Sequence, residues 1–320
     1  GHGARVAIRA PGGTWTYAEL KDRVDRIARV LVEDMGLVPG NRVLLRGPNN
    51  PMMAALNFAV WKAGGVLINT MPLLRARELA YILDKARVRF AIGDARFLPD
   101  IEAAGRQATL GTLEGIMAFN TDAAGSIDAL MVAKSGGTEP CDTAADDVAL
   151  IAFTSGTTGA AKGTMHFHRD LLAICDTTPR HVIMPSIDDV FLGSPPFAFT
   201  FGLGMQLLFP LRMGASTALI EQPSPPNLLA AIPQFRATVL ATAPTAYRAL
   251  LEPVRQADIS SLRKCIAAGE HLPRPTFDAW KAATGISVID GIGATEMLHI
   301  FIASPRNDIR PRSAGRLVAG

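Results

Sequence analysis

The sequence predicts an α/β fold: layered, parallel-rich sheets covered by helices. Three observations carry that expectation. Short β-branched or apolar runs alternate with helix-like segments along nearly the whole chain, the rhythm of parallel strands joined by crossover helices. The 320 residues suffice for one large or two medium domains. Apolar residues make up 48% and charged residues 19%, which is globular composition and not that of a disordered chain.

Taken in order, Arg5–Arg9 reads as a strand and Pro11-Gly12-Gly13 as a turn. Thr16-Tyr17-Ala18-Glu19 fits a capping box. Leu20, Val24, Ile27 and Leu31 follow at spacings of four, three and four, one face of a helix that Gly36 would terminate. Val43–Leu45, Val66–Ile68 and Val88–Ile92 read as strands, with helices at Met52–Lys62 and Glu78–Lys85 between them. Further strands are expected at Val148–Phe153, Val190–Leu192, Thr217–Ile220, Thr238–Ala241, Lys264–Ala267 and Ser287–Asp290. Ala123–Ala145 is rich in Gly, Ser, Ala and Asp and reads as an exposed connection. It suggests two subdomains, 1–135 and 136–320. No repeat at a solenoid period is present.

Charge and cysteine usage exclude several classes. The formal net charge is +3 with no run of five like charges, which argues against nucleic acid or an anionic membrane as the main partner. No apolar run reaches the ~18–20 residues of a membrane span. Cys141, Cys175 and Cys265 are odd in number and widely spaced, so they read as buried or half-buried thiols in a reducing cytoplasm, not as a disulfide framework or zinc site. The first residues, Gly1-His2-Gly3, carry no signal-peptide pattern. Together with the stop at Val318-Ala319-Gly320, the missing Met suggests a piece of something longer. Nothing in the pattern speaks to oligomeric state.

The chemistry concentrates after the strand Val148–Phe153. Thr154, Ser155, Gly156, Thr157, Thr158, Gly159, Lys162 and Gly163 place four hydroxyls, three glycines and one lysine in a single loop. Glycines let backbone amides approach an anion, hydroxyls donate further bonds, and the lysine adds a point charge. A Walker A loop ends Gly-Lys-Ser/Thr, whereas here Lys162 precedes Gly163, so an ordinary P-loop NTPase is disfavoured. A dinucleotide-binding dehydrogenase fits the alternation but lacks GxGxxG after the first strand.

The run Thr154–Gly163 resembles the signature loop of the adenylate-forming (AMP-binding) superfamily: acyl- and aryl-CoA synthetases, peptide-synthetase adenylation domains and firefly luciferases. Further motifs match in the family's order. Pro196–Gly204 resembles the segment whose aromatic lines the acyl pocket, and Ala267–Pro273 the adenine-binding turn. Asp290–Glu296 resembles the motif that closes on AMP, and Gly315–Gly320 the start of the next motif. Asp290–Phe301 is similar to benzoate- and 2-aminobenzoate-CoA ligases.

The resemblance implies roles residue by residue. The loop would hold the β- and γ-phosphates of ATP, with Lys162 catalytic. Thr295 would bond the α-phosphate and Glu296 would hold Mg²⁺, with Thr158 a second candidate ligand; a hard cation on phosphates needs only one or two carboxylates. Gly269, Glu270, His271, Asp290, Gly291, Ile292 and Gly293 would surround adenine and AMP. Thr200, Phe201, Gly202, Ala268 and His299 would line the acyl pocket. The implied activity joins a carboxylic acid, preferably an aryl acid, to coenzyme A with ATP and Mg²⁺. A medium-chain fatty acid is the competing substrate, and a non-catalytic nucleotide- or acid-binding module the competing class. The family also needs a small C-terminal domain with a catalytic lysine. That domain would lie beyond these 320 residues, leaving this piece weakly active or inactive.

Several of these residues also have plainer readings. Thr295-Glu296 alone fits a helix N-cap with an acid in the first turn. His166 and His168 lack a third metal ligand and read as structural. Asp146-Asp147 and Asp188-Asp189 read as solvated turn residues.

Overall fold

The computed structural model describes residues 2–154, 160–305, 308, 309 and 313–319. The chain forms two units, Tyr17–Arg169 and Gly1–Thr16 with Asp170–Gly320. The units do not divide at 135–136, and two features explain why. Strand β1 (Val6–Ala10), which turns back through Gly13 into β2 (Gly13–Thr16), pairs in parallel with a strand more than 200 residues on, Ile8 opposite Thr217. The 123–145 stretch, expected to be a connection, belongs to the 17–169 unit. It carries a short helix, Ile127–Val132, and is tied to the first long helix, Tyr17–Arg29. Thr138 donates to the Asp25 carbonyl (3.0 Å), and Lys134 pairs with Glu33 and Asp34.

In the 17–169 unit the strands are β3 (Arg42–Arg46), β4 (Val66–Thr70), β5 (Phe90–Asp94), β6 (Gly115–Phe119), β7 (Val148–Phe153) and β8 (Gly163–Phe167). Among the described residues they form one sheet in the order β6-β5-β3-β4-β7-β8, parallel except for β8. Its central strands are buried at nearly every position, which is why they read as unbroken apolar runs. Leu20, Val24, Ile27 and Leu31 are all buried, as their spacing demands. Asn50 caps the helix Pro51–Lys62 by accepting from the Met53 amide at 2.8 Å.

The other unit continues with β9 (Val190–Gly193), β10 (Ser216–Ala218), β11 (Val239–Thr242), β12 (Lys264–Ala267), β13 (Val288–Gly293), β14 (Ile300–Ala303) and β15 (Arg316–Leu317). The described order is β15-β14-β13-β12-β11-β9-β10-β1-β2, with a parallel centre from β1 to β13 and antiparallel strands at both ends. Trp280 and Tyr247 meet edge-on at 4.8 Å in its core, and the Tyr247 hydroxyl lies 2.9 Å from the Leu240 carbonyl.

One polar residue corrects the sequence reading. Asp188 is exposed, as expected, but Asp189 is 1% exposed. Its carboxylate accepts from Lys264 (2.6 Å), Arg263 (2.8 Å), Thr238 (2.6 Å) and the Ser186 amide (2.7 Å). Burial alone would raise its pKa, but these partners outweigh burial and hold it at about 2. The residue links the starts of three adjacent strands. Asp146 and Asp147 are exposed turn residues as expected. The three cysteines are free, and burial pushes the Cys175 and Cys265 thiols up to about 12. Among the described residues no helix is long and apolar enough to cross a membrane.

Candidate active site

The phosphate-loop candidate, Thr154–Gly163, joins β7 to β8. β7 and β8 pair antiparallel, with Phe153 opposite Gly163. The neck is closed twice: the Thr154 amide donates to the Lys162 carbonyl (2.9 Å), and the Lys162 amide to Thr154 Oγ1 (3.2 Å). A Cβ on Gly163 would lie 3.0 Å from Ile151 and 3.3 Å from the Phe153 ring, so this glycine lets the returning strand lie close. Ser155, Gly156, Thr157, Thr158 and Gly159 lie outside the described residues. Lys162 is exposed, and its ammonium pairs with no carboxylate among the described residues. His166 is buried and His168 half-buried in the returning strand and just after it. Burial lowers the His168 pKa, while the charge of Asp147 pulls it back up. The described residues hold no metal-binding cluster of three or more His, Cys, Asp or Glu.

Two other predicted segments meet in the nine-stranded sheet. β12 and β13 are adjacent and parallel, with Ala267 opposite Asp290, so Gly269-Glu270-His271 and Asp290–Gly293 arrive at the same end of the sheet. Crevices at the carboxyl ends of parallel strands are where open α/β sheets bind ligands. Here they line a cavity of about 550 Å³ with Leu272, Arg274, Phe277, Ser304 and Ile309. Gly269 has φ +94°, a conformation that suits glycine. The Glu270 carboxylate is engaged elsewhere: it accepts from the Thr245 amide (2.8 Å) at the start of the helix Pro244–Leu250. That leaves the 269–271 backbone, not the Glu270 side chain, to face a ligand. Asp290 is half-buried, and burial raises its carboxyl pKa. Arg274, Phe277, Ser304 and Ile309 were missed because no local pattern marks them; they arrive from the helix Arg274–Thr284 and the segment after β14.

Beyond β13 the chain makes a single 3₁₀ turn, Thr295–Met297. Glu296 is exposed there and has no hydrogen bond or ion pair among the described residues. A lone, solvated carboxylate suits Mg²⁺, which keeps most of its water and takes few protein ligands. Leu298 is buried with φ +63°, rare for a branched residue. It turns the chain so that His299, 2% exposed, faces inward as Glu296 faces out.

His299 packs against the acyl-pocket candidates. The Thr200–Leu203 helix runs into a π-turn, Gly204–Leu208. The Phe201 ring lies 5.8 Å from the imidazole and the Phe209 ring 4.5 Å. A Cβ on Gly204 would sit 2.4 Å from His299 Cδ2, and one on Gly202 2.1 Å from the Pro196 carbonyl. Both glycines are therefore required by close approach. Thr200 is half-buried beside Phe201, and Ala268 is buried at the end of β12. Neither His299 nitrogen has a hydrogen-bond partner. Burial depresses its pKa to about 3 and outweighs the opposing effect of the Phe201 backbone. The ring is therefore neutral, with one donor and one acceptor open.

Fold and cavity together are those of an open α/β sheet with a cavity at the carboxyl ends of its parallel strands. Residues 1–320 match the AMP-binding enzyme family, and the chain belongs to it. It is 31% identical over 324 residues to the benzoate–CoA ligase of Thauera aromatica, covering 100% of this chain and 61% of that protein. To the anthranilate–CoA ligase of Pseudomonas aeruginosa it is 32% identical over 291 residues, covering 89% and 54%. The crystal structure of the anthranilate CoA ligase AuaEII in complex with anthranoyl-AMP matches with a TM-score of 0.94 at 31% identity, over 100% of this chain and 62% of that one. The layered α/β fold expected from the sequence is the fold of these relatives. The chain spans 61% or less of the length of the two curated relatives.

Proposed function

We propose that this chain carries the nucleotide and acid sites of an AMP-forming aryl acid–CoA ligase. The observation that supports it most is local. The cavity strand β13 leads through one short turn, 294–298, into the neutral, unpartnered His299 between Phe201 and Phe209. A nucleotide at the end of β13 and a flat acid beside His299 would meet at Thr295.

In the first step the carboxylate oxygen attacks the α-phosphorus of ATP, and the bond to pyrophosphate breaks. In the second the thiol of CoA attacks the acyl carbonyl and AMP leaves. Mg²⁺, held by Glu296, would neutralise phosphate charge. The Thr295 hydroxyl would bond the α-phosphate, and the 269–271 backbone would flank adenine. Lys162 and the loop hydroxyls would bind the outer phosphates. The chain's own contribution is positioning and fixed dipoles in a partly dry site. The Phe201 and Phe209 rings packed on a neutral imidazole would favour a planar aryl acid over an alkyl chain.

The test is acid-dependent ATP–pyrophosphate exchange by the whole enzyme with benzoate, 2-aminobenzoate and octanoate. An aryl acid should exceed octanoate by at least about tenfold, the factor carried by ~1.4 kcal/mol of differential binding. A preference for octanoate removes the aryl assignment; no exchange with any carboxylic acid removes the adenylation itself.

A further inference from the structure

The helix Ala76–Ala86 lies outside every motif that marks the site, yet its Tyr81 reaches the phosphate hairpin. The Tyr81 hydroxyl donates to the Ala161 carbonyl at 2.8 Å. Ala161 immediately precedes Lys162, whose backbone is bonded twice to Thr154. The lysine is thus held at its own amide, at its own carbonyl and at the carbonyl before it, while its ammonium projects into solvent. Three hydrogen bonds on adjacent peptide groups leave that stretch little freedom.

The helix is a firm support for such a contact. Its first turn is fixed by Glu78, whose carboxylate accepts from the Arg75 amide at 3.0 Å. Leu79, Ala80, Ile82 and Leu83 are buried in one apolar cluster. Ile151 and Phe153, from the strand that enters the hairpin, pack against that same cluster. The helix and the entering strand therefore share one apolar cluster, and the Tyr81 hydroxyl adds a bond to the residue just before Lys162. Tyr81 is 37% exposed, so burial of its ring explains only part of its placement. The hydroxyl has a specific partner in an otherwise solvated surround.

We infer that Tyr81 is a positioning residue that sets Lys162 for the outer phosphates of ATP. The inference rests on the phosphate-loop reading of Thr154–Gly163. Losing the hydroxyl should free the peptide before Lys162 and weaken a phosphate contact, without touching the acid pocket or the core.

The experiment uses Tyr81→Phe and Lys162→Ala in the whole enzyme, assayed by pyrophosphate exchange with ATP and acid varied separately. Tyr81→Phe should raise KM for ATP roughly three- to tenfold, the worth of one hydrogen bond. KM for the acid and the melting temperature should stay as in the parent. Lys162→Ala should raise KM for ATP further. In the double variant the Tyr81 effect should vanish, because the lysine through which it acts is gone. If Lys162→Ala impairs ATP use and Tyr81→Phe does not, or Tyr81→Phe raises both KM values equally, the positioning role is overturned and the loop reading survives. If Lys162→Ala leaves ATP use unchanged, the loop reading fails and the inference fails with it.

Discussion

The six-stranded sheet of the 17–169 unit and the nine-stranded sheet of the other unit share a parallel centre, but they present candidate binding backbone differently. In the first, the candidate phosphate segment joins two antiparallel strands, β7 and β8, and its described ends are bonded at Thr154, Ala161 and Lys162. In the second, Gly269 follows β12, while Gly291 and Gly293 lie within β13, which pairs in parallel with β12 and antiparallel with β14; together they line a cavity. A hairpin loop is fixed where its strands pair. The turn after β12 is held at both ends, because the chain continues directly into the helix Arg274–Thr284. The hairpin suits groups that reach for a ligand, and the strand ends suit a surface that receives one.

The same contrast holds in the buried ionic groups, where the largest effect is expected. Asp189 meets Lys264, itself almost fully buried, whereas Asp25 in the other unit meets an exposed Lys21 and a partly exposed Lys62. Removing one partner of a buried pair leaves an uncompensated charge and costs about 3–5 kcal/mol. Asp189→Ala should therefore lower the unfolding free energy by about that amount, and Asp25→Ala by less, because Lys21 can return to water. Denaturant titration of both variants checks the order, and a reversed order would break the comparison. The Asp189 pKa of about 2 lies below the ~3.9 of an unfolded aspartate. Its stabilisation is complete above about pH 4 and is lost as the pH falls through about 2.

Much of this was legible in the sequence. Each buried parallel strand, from Val43–Leu45 to Ser287–Asp290, showed as an apolar run and is present within a few residues. The strands that escaped notice, β2, β6, β8, β14 and β15, include the sheet ends and carry exposed or half-buried residues that dilute the apolar signal. The membership of β1 and β2 was illegible because it depends on a pairing across more than 200 residues. At the site, the motifs marked the glycine turns, His299 and Phe201. They could not show that Glu270 is spent on the Thr245 amide, that Gly204 makes room for the imidazole, or that Tyr81 touches the hairpin. Such facts depend on side-chain direction in three dimensions. Asp189 misled for the same reason: two adjacent aspartates look alike in sequence, and only the strand start beside Lys264 separates them.

The next effect concerns the strand-end site alone. Glu296 is exposed, has no partner among the described residues, and follows the cavity-lining Gly293 by three positions. Glu296→Gln keeps the shape and removes the charge. Losing one preorganised electrostatic contact costs about 10²–10³ in rate, so the exchange rate should fall by at least about 10²-fold, while the melting temperature stays put because the side chain is solvated. Excess Mg²⁺ should recover part of the loss. A drop of less than tenfold would remove Glu296 from the proposed Mg²⁺ role.

The smallest effect separates the two units by pH. His299 is buried and neutral, with its pKa depressed to about 3, against ~6.5 when unfolded. Between those values the unfolded chain binds a proton that the folded chain refuses, so stability falls as the pH falls from 6.5 toward 3. At pH 5.5 the expected cost is about 1.4 kcal/mol relative to neutral pH. His168, in the other unit, is only half-buried, and Asp147 opposes the lowering of its pKa, so its contribution should be smaller. Unfolding free energies measured from pH 7.5 to 5.5 for the parent, His299→Leu and His168→Leu test this. His299→Leu should flatten the slope more than His168→Leu does. Equal slopes for the parent and His299→Leu would mean that the imidazole finds water or a partner, and with it would go the open donor and acceptor on which the proposed acid site rests.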